Sequence, residues 1–128
     1  MDINERKQQL TDEEKKVLLE GGTEAPFSGK YYLENKEGVY TCKVCNTPLF
    51  SSDTKYHSDL PGLAGWPSFD QAIVGSVEYV DDNSMGMHRT EVRCATCKSH
   101  LGHIFDDHES KTGKHYCMNS VCLNLDEK

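Results

Sequence analysis

The pattern of apolar and polar positions predicts one helix at the start of the chain. The helix is predicted over residues 4–20, where Thr11 and Glu14 have the spacing of a capping box. Three apolar residues at 17–19 follow, and a Gly-Gly pair then ends the helical pattern. We expect packing to be its main role and residues 1–9 to be flexible.

From about residue 30 onward, the pattern changes to short segments of strand-forming residues separated by Gly, Asn and Asp. The predicted strands span residues 31–33, 38–41, 49–50, 73–74, 77–80, 89–93, 116–118 and 121–125. This arrangement predicts a mainly antiparallel β domain with a helix at its start. No linker or low-complexity segment divides the chain, so we expect a single domain over residues 1–128.

Composition narrows the possible partners. The 128 residues are 36% hydrophobic with a mean hydropathy of -0.68, which predicts a modest core. The net charge of -7 disfavours a nucleic-acid partner. Because the sequence lacks a long apolar run and a signal-peptide pattern, we expect a cytoplasmic protein with no membrane partner. A monomer is a separate expectation, which these patterns do not establish.

Two Cys-x-x-Cys pairs, Cys42 with Cys45 and Cys94 with Cys97, account for four of the six cysteines. Each pair follows a predicted strand, and a tight turn would aim both sulfurs at one ion. Two such turns complete a tetrahedral four-cysteine site, which is typical of structural zinc. Redox-active pairs or disulfides are the alternatives, but zinc suits a reducing compartment better.

The only tryptophan, Trp66, lies between Gly65 and Pro67. Glycine permits unusual backbone conformations and proline fixes φ, so this loop could hold the indole in one orientation. Two readings remain open: Trp66 forms one wall of a pocket, or it caps the core.

Cys117 is a cysteine that the metal pairs do not use, and a short loop separates it from His100 and His103. A turn at Gly102 would let the two histidines converge, and neighbouring strands would let Cys117 face them. Histidines beside a thiol can act as acid or orienting base, and His115 could also lower the pKa of the thiol. The alternatives are a buried core cysteine and histidines at a sheet edge.

Six segments, taken in chain order, resemble the methionine-R-sulfoxide reductases of the B type. They are residues 22–27, 40–45, 65–69, 89–94, 100–105 and 116–120. The resemblance covers roughly residues 10–125. It implies two antiparallel sheets, a structural zinc away from the active site, and an enzyme of oxidative damage repair that reduces the R epimer of methionine sulfoxide to methionine.

The resemblance also implies roles for individual residues. Cys117 attacks the sulfoxide sulfur and becomes a sulfenic acid. Trp66 and Phe105 hold the substrate methyl group. Polar groups orient or protonate the sulfoxide oxygen, and these are His100, His103 and Asn119. Thioredoxin or a similar dithiol regenerates the enzyme; the substrate is methionine sulfoxide in proteins or free.

Three positions depart from the family pattern. His115 stands where the family usually has arginine, and we keep it among the expected substrate-binding residues. Ala64 stands where many members have a recycling cysteine, so either Cys122 resolves the sulfenic acid or the external thiol attacks it directly. We favour direct attack because Cys122 could reach Cys117 only if the strand bends. His108 replaces a common glycine.

Two other classes of protein remain as alternatives. One is a non-catalytic zinc-stapled module that binds a partner through the Trp66 pocket. The other is a thiol switch that senses peroxide. A pure binding module needs no reactive Cys117, and a sensor predicts no sulfoxide turnover.

Overall fold

The computed structural model describes residues 2–25, 29–32, 34, 36–56, 65–83, 86, 88–107 and 110–127. This part of the chain forms two short helices, α1 (Ile3–Gln8) and α2 (Asp12–Leu18), and nine strands. The strands are β1 (Gly38–Cys42), β2 (Pro48–Ser51), β3 (Lys55–Tyr56), β4 (Ser68–Phe69), β5 (Val77–Asp82), β6 (Arg89–Cys94), β7 (His100–Asp106), β8 (Lys114–Met118) and β9 (Leu123–Glu127). Neither of these helices has the length and apolar content that a membrane crossing requires.

The amino-terminal segment forms two helices rather than the single predicted one. Thr11 has an extended backbone, and its side chain accepts a hydrogen bond from the Glu14 N–H while the Glu14 carboxylate accepts one from the Thr11 N–H. The predicted capping box is therefore confirmed, and it starts a new helix at this position. The first helix contacts the rest of the protein through Lys7, whose ammonium group donates to the carbonyl of Cys97 at 3.0 Å.

The strands form two antiparallel sheets, which confirms the predicted mainly β fold. One sheet has the order β2-β1-β9, and the other has the order β3-β4-β8-β7-β6-β5. The aromatic rings of Phe50 in β2 and Phe69 in β4 stack at 4.4 Å, so the core joins the two sheets. Other fully buried core residues are Tyr40, Leu49, Leu101 and Met118.

Two predicted strands are wrong. Tyr31 and Tyr32 lie in a turn, and the predicted third residue, Leu33, is outside the described residues. The buried Tyr31 hydroxyl accepts a hydrogen bond from the Leu125 N–H at 3.1 Å, so this aromatic residue anchors a turn to β9. Residues 73–74 also form no strand, and Val74 is 94% exposed. The predicted strand at 121–125 begins later, because a 3-10 turn at Ser120–Cys122 precedes β9.

Strands β7 and β8 pair side by side, as predicted, with His103 opposite Cys117. The predicted turn at Gly102 is wrong, because β7 continues through this residue. The pairing with β6 instead shifts by one residue near Leu101, and this bulge lets the rings of His100 and His103 approach to 5.4 Å. Gly102 permits close packing, since a Cβ there would collide with the backbone oxygen of Cys117.

Candidate active site

A small pocket of about 70 Å³ opens over the centre of the larger sheet. Cys117 lies in its lining and is half-buried, which differs from the fully buried core cysteine of the alternative reading. The other described residues of the lining are Thr23, Trp66, Arg89, Gly102, His103, Phe105 and Asn119. The structure therefore brings together five of the residues selected from the sequence, and it adds Thr23 and Arg89.

His103 is held from the side by an acidic residue that sequence reasoning did not select. Its Nε2 donates to a carboxylate oxygen of Asp82 at 2.7 Å, and the Arg89 guanidinium lies 3.5 Å from the same oxygen. A carboxylate in this position fixes the orientation of the imidazole. His103 is therefore held in one orientation beside Cys117.

His100 lies next to His103 but outside the pocket lining. Its Nδ1 donates to the Glu91 carboxylate at 2.6 Å, and the side chain is 4% exposed. Burial lowers the pKa of His100 below its ordinary value, although Glu91 opposes that shift. Of the two predicted histidines, only His103 lines the pocket.

The loop before residue 26 holds two side chains of the pocket. The backbone carbonyl of Glu24 accepts a hydrogen bond from the Trp66 indole at 2.9 Å. The backbone N–H of Glu24 donates to the Asn119 side chain at 3.0 Å. The Asn119 amide nitrogen donates to the Leu101 carbonyl at 3.1 Å, which uses one of its two hydrogens. Glu24 belongs to one of the segments that resemble the family, but nothing in that pattern gave it a role.

The Glu24 side chain anchors the same loop. Its carboxylate accepts a hydrogen bond from the Val121 N–H at 3.1 Å and is almost completely buried. Burial raises the pKa of Glu24 above its ordinary value. Burial, and then the charge of Glu24, also raise the pKa of Cys117 to about 12, so this cysteine is a thiol at neutral pH in the free protein.

His115 is buried and does not line the pocket. The side chain is fully buried, and its ring nitrogens lie 2.9 Å from the Ser68 hydroxyl and 3.3 Å from the Asp107 carboxylate. The structure therefore does not support the prediction that His115 contacts the substrate. The sequence pattern did not indicate that His115 is buried. Residues two apart on a strand lie on the same side, so His115 was expected beside the pocket-facing Cys117.

Cys122 lies in the core, apart from the pocket. It is fully buried, and its thiol donates to the His100 carbonyl at 3.2 Å. Of the other family departures, Ala64 and His108 lie outside the described residues.

The four paired cysteines form the predicted cluster. Their sulfur atoms all lie within 4.8 Å of one another, with Cys42 and Cys97 at 3.6 Å and Cys45 and Cys94 at 3.5 Å. A tetrahedral zinc site with Zn–S bonds of about 2.3 Å places its sulfurs about 3.8 Å apart, so the cluster fits this ion.

The two cysteine turns have the same backbone geometry. In each turn, the N–H of the residue after the second cysteine donates to the carbonyl of the first cysteine at 2.9 Å. These residues, Asn46 and Lys98, have φ values of 63° and 65°. The prediction that each Cys-x-x-Cys turn follows a strand is confirmed.

The comparison with protein families agrees with the geometry. The family model of the SelR domain, which is the domain of the methionine-R-sulfoxide reductase B family, matches residues 10–127 of this chain. Members of this family are oxidoreductases that act on methionine sulfoxide and use a thiol reductant. The chain therefore belongs to the SelR domain family of peptide-methionine (R)-S-oxide reductases.

Proposed function

We propose that this protein reduces the R epimer of methionine sulfoxide, in proteins or free, with Cys117 as the nucleophile. The observation that carries the proposal is the position of Cys117, half-buried in a pocket with aromatic and proton-donating walls. Repair of oxidised protein in the cytoplasm is the corresponding cellular role.

The size of the pocket suits the reacting end of the substrate. A pocket of about 70 Å³ that opens to solvent can accept the methylsulfinyl group at the end of the substrate side chain. Trp66 and Phe105 would contact the methyl group. The remainder of a peptide would stay outside, which is compatible with both protein-bound and free substrate.

The polar side of the pocket supplies the proton that this reaction needs. The Cys117 thiol passes its proton to His103 as its sulfur attacks the sulfoxide sulfur, and His103 passes this proton on to the sulfoxide oxygen. Asp82 stabilises the imidazolium formed between the two transfers. The oxygen, now a hydroxyl, passes to the cysteine sulfur as the substrate S–O bond breaks. The products are methionine and a Cys117 sulfenic acid, so two electrons have moved from the cysteine to the substrate sulfur.

The two remaining polar candidates have different roles. Asn119 orients the oxygen from the other side of the pocket, since its amide is fixed by the Glu24 N–H and the Leu101 carbonyl. His100 would help to position the His103 imidazole through the contact between their rings. Its own orientation is fixed by the hydrogen bond to Glu91.

Regeneration follows by direct attack of an external thiol such as thioredoxin. A thiol of the donor attacks the Cys117 sulfur, its proton joins the departing hydroxyl to give water, and a mixed disulfide forms. The second thiol of the donor then attacks the donor sulfur of the mixed disulfide. This releases Cys117 as a thiol and converts the donor to a disulfide. The complete burial of Cys122 and its bond to the His100 carbonyl support this route over a resolving role for Cys122.

The four-cysteine cluster would hold a structural zinc ion. Cys42 ends β1 and Cys94 ends β6, and these strands belong to different sheets. A zinc ion at this position would therefore join the two sheets, and four thiolates leave no open coordination position for catalysis.

A single-turnover experiment tests the nucleophile. Without reductant, the R epimer should yield about one methionine per chain, and a sulfenic-acid reagent such as dimedone should label Cys117. Cys117→Ser should bind zinc and yield no methionine. Methionine formation by this variant at the wild-type rate would contradict the proposal.

A further inference from the structure

His115 contacts both segments that carry the aromatic walls of the pocket. Ser68, two residues after Trp66, lies 2.9 Å from Nε2 of the imidazole. Asp107, two residues after Phe105, lies 3.3 Å from Nδ1. The ring is fully buried, so both contacts are screened from water and sensitive to the loss of either partner.

The link to the tryptophan wall is short. The Ser68 hydroxyl is also 3.3 Å from the backbone oxygen of Trp66, and the carbonyl of Pro67 accepts a hydrogen bond from the Met118 N–H at 3.0 Å. A displacement of Ser68 must therefore move the backbone that orients the indole.

The link to the phenylalanine wall runs through a second buried group. The carboxylate oxygen of Asp107 that faces His115 also accepts a hydrogen bond from the Tyr56 hydroxyl at 2.9 Å. The backbone N–H of Asp107 donates to the Gly113 carbonyl at 2.9 Å, which fixes the end of β7. The ring centroids of Phe105 and His115 lie 6.4 Å apart with nearly perpendicular planes.

The proton positions follow from the partners. Burial lowers the pKa of His115 although Asp107 opposes the shift, so the imidazole is neutral and carries one proton. That proton belongs on Nδ1, facing the carboxylate, because a bare Nδ1 would repel it. Nε2 is then an acceptor for the Ser68 hydroxyl, which shares its one proton between Nε2 at 2.9 Å and the Trp66 carbonyl at 3.3 Å. An arginine at this position has no acceptor and could not form this pair of bonds.

We infer that His115 is a positioning residue that sets the separation of the Trp66 and Phe105 walls, and that it does not activate the Cys117 thiol. This inference rests on the proposed function, because the walls matter for the substrate methyl group. Loss of the His115 contacts with Ser68 and Asp107 should weaken substrate binding and leave the chemical step nearly intact.

Two amide variants test the Ser68 contact and the Asp107 contact of His115 separately. The side chain of His115→Asn is too short to reach Ser68 but can donate to Asp107. His115→Gln can reach Ser68 but loses the bond to Asp107. Ser68→Ala removes the same Ser68 contact from the other partner, and the exposed His88→Asn is a matched control.

The test combines intrinsic fluorescence with steady-state kinetics on the R epimer. Trp66 is the only tryptophan, so its emission reports the wall directly and without turnover. We expect His115→Asn and Ser68→Ala each to shift this emission and to raise KM about three- to tenfold, with kcat within about twofold. Their double variant should be no worse than Ser68→Ala alone, since Ser68→Ala already removes the contact that His115→Asn loses. His115→Gln and His88→Asn should keep the wild-type emission.

Unchanged emission and KM in Ser68→Ala would overturn the inference, even if His115→Asn failed to fold. A fall in kcat at constant KM in His115→Asn, with a shifted pH profile for Cys117 alkylation, would also overturn it, because His115 would then act on the thiol. Absence of wild-type turnover would instead refute the proposed function. The fluorescence emission of the variants would still test whether His115 positions Trp66 through Ser68.

Discussion

The Glu24 carbonyl and the Trp66 indole, 42 residues apart in the chain, form a hydrogen bond of 2.9 Å. The N–H of the same residue donates to Asn119, so the backbone of Glu24 orients one aromatic and one polar wall of the pocket. A buried carboxylate bonded to the Val121 N–H holds this backbone in place. The loop before residue 26 is therefore part of the site.

Glu24→Gln should stabilise the protein above acidic pH. Because burial raises the folded-state pKa of Glu24 above the ordinary value of 4.5, this group favours folding below pH 4.5, and that contribution is lost as the pH rises. The glutamine oxygen can still accept from Val121 without carrying a charge. Thermal unfolding should show a higher Tm for the variant at pH 8 and a diminishing difference towards pH 4.

The matched variant Glu24→Ala removes the acceptor as well as the charge. It should raise KM and shift the Trp66 emission, because the loop loses its anchor at Val121; the loss of one buried hydrogen bond costs about 1–3 kcal/mol. An equal Tm difference between Glu24→Gln and wild type at every pH would contradict the role of charge burial.

Asp82→Asn should lower kcat about tenfold with little change in KM. Asparagine can still bond to His103 Nε2, but it carries no charge to stabilise the imidazolium during proton donation. The neighbouring Asp81 is exposed, so Asp81→Asn is the control and should keep wild-type kinetics. Equal losses in the two variants would indicate a general effect of charge rather than a specific pair with His103.

Removal of one zinc ligand should destabilise the whole fold. We expect one zinc per chain in the wild type, and Cys42→Ser should lose the metal together with several kcal/mol of folding free energy. Cys117→Ser has the same number of thiols and should retain one zinc and the wild-type Tm. Metal analysis and thermal unfolding check this, and a reduced, folded wild type without metal would contradict it.

Cys122→Ala should keep turnover within about twofold, with dithiothreitol or with thioredoxin as the donor. Cys122 is a buried core residue, so the variant should lose about 1–2 kcal/mol of stability. Mass spectrometry after one turnover without reductant should find Cys117 sulfenic acid. A disulfide between Cys117 and Cys122 would instead assign Cys122 the resolving role.

Features that depend on nearby residues were predictable from the sequence. The Thr11 capping box and the two cysteine turns each involve bonds between residues close in the chain. The pairing of β7 with β8 follows from the short polar loop between them. These patterns also suffice for the resemblance to the family, which the match over residues 10–127 confirms.

Features that depend on distant contacts were not predictable. Asp82 reaches His103 across the sheet, and the bulge near Leu101 exists only in the register with β6. The burial of His115 likewise depends on Asp107 and Ser68, which other segments supply. An alternating pattern on one strand states which side a residue takes, but not what covers it.

The most direct test of the central claim is turnover of the separated epimers of methionine sulfoxide with dithiothreitol as reductant. We predict methionine formation from the R epimer and none from the S epimer, with Cys117→Ser inactive on both. Turnover of neither epimer, or of the S epimer alone, would contradict the claim.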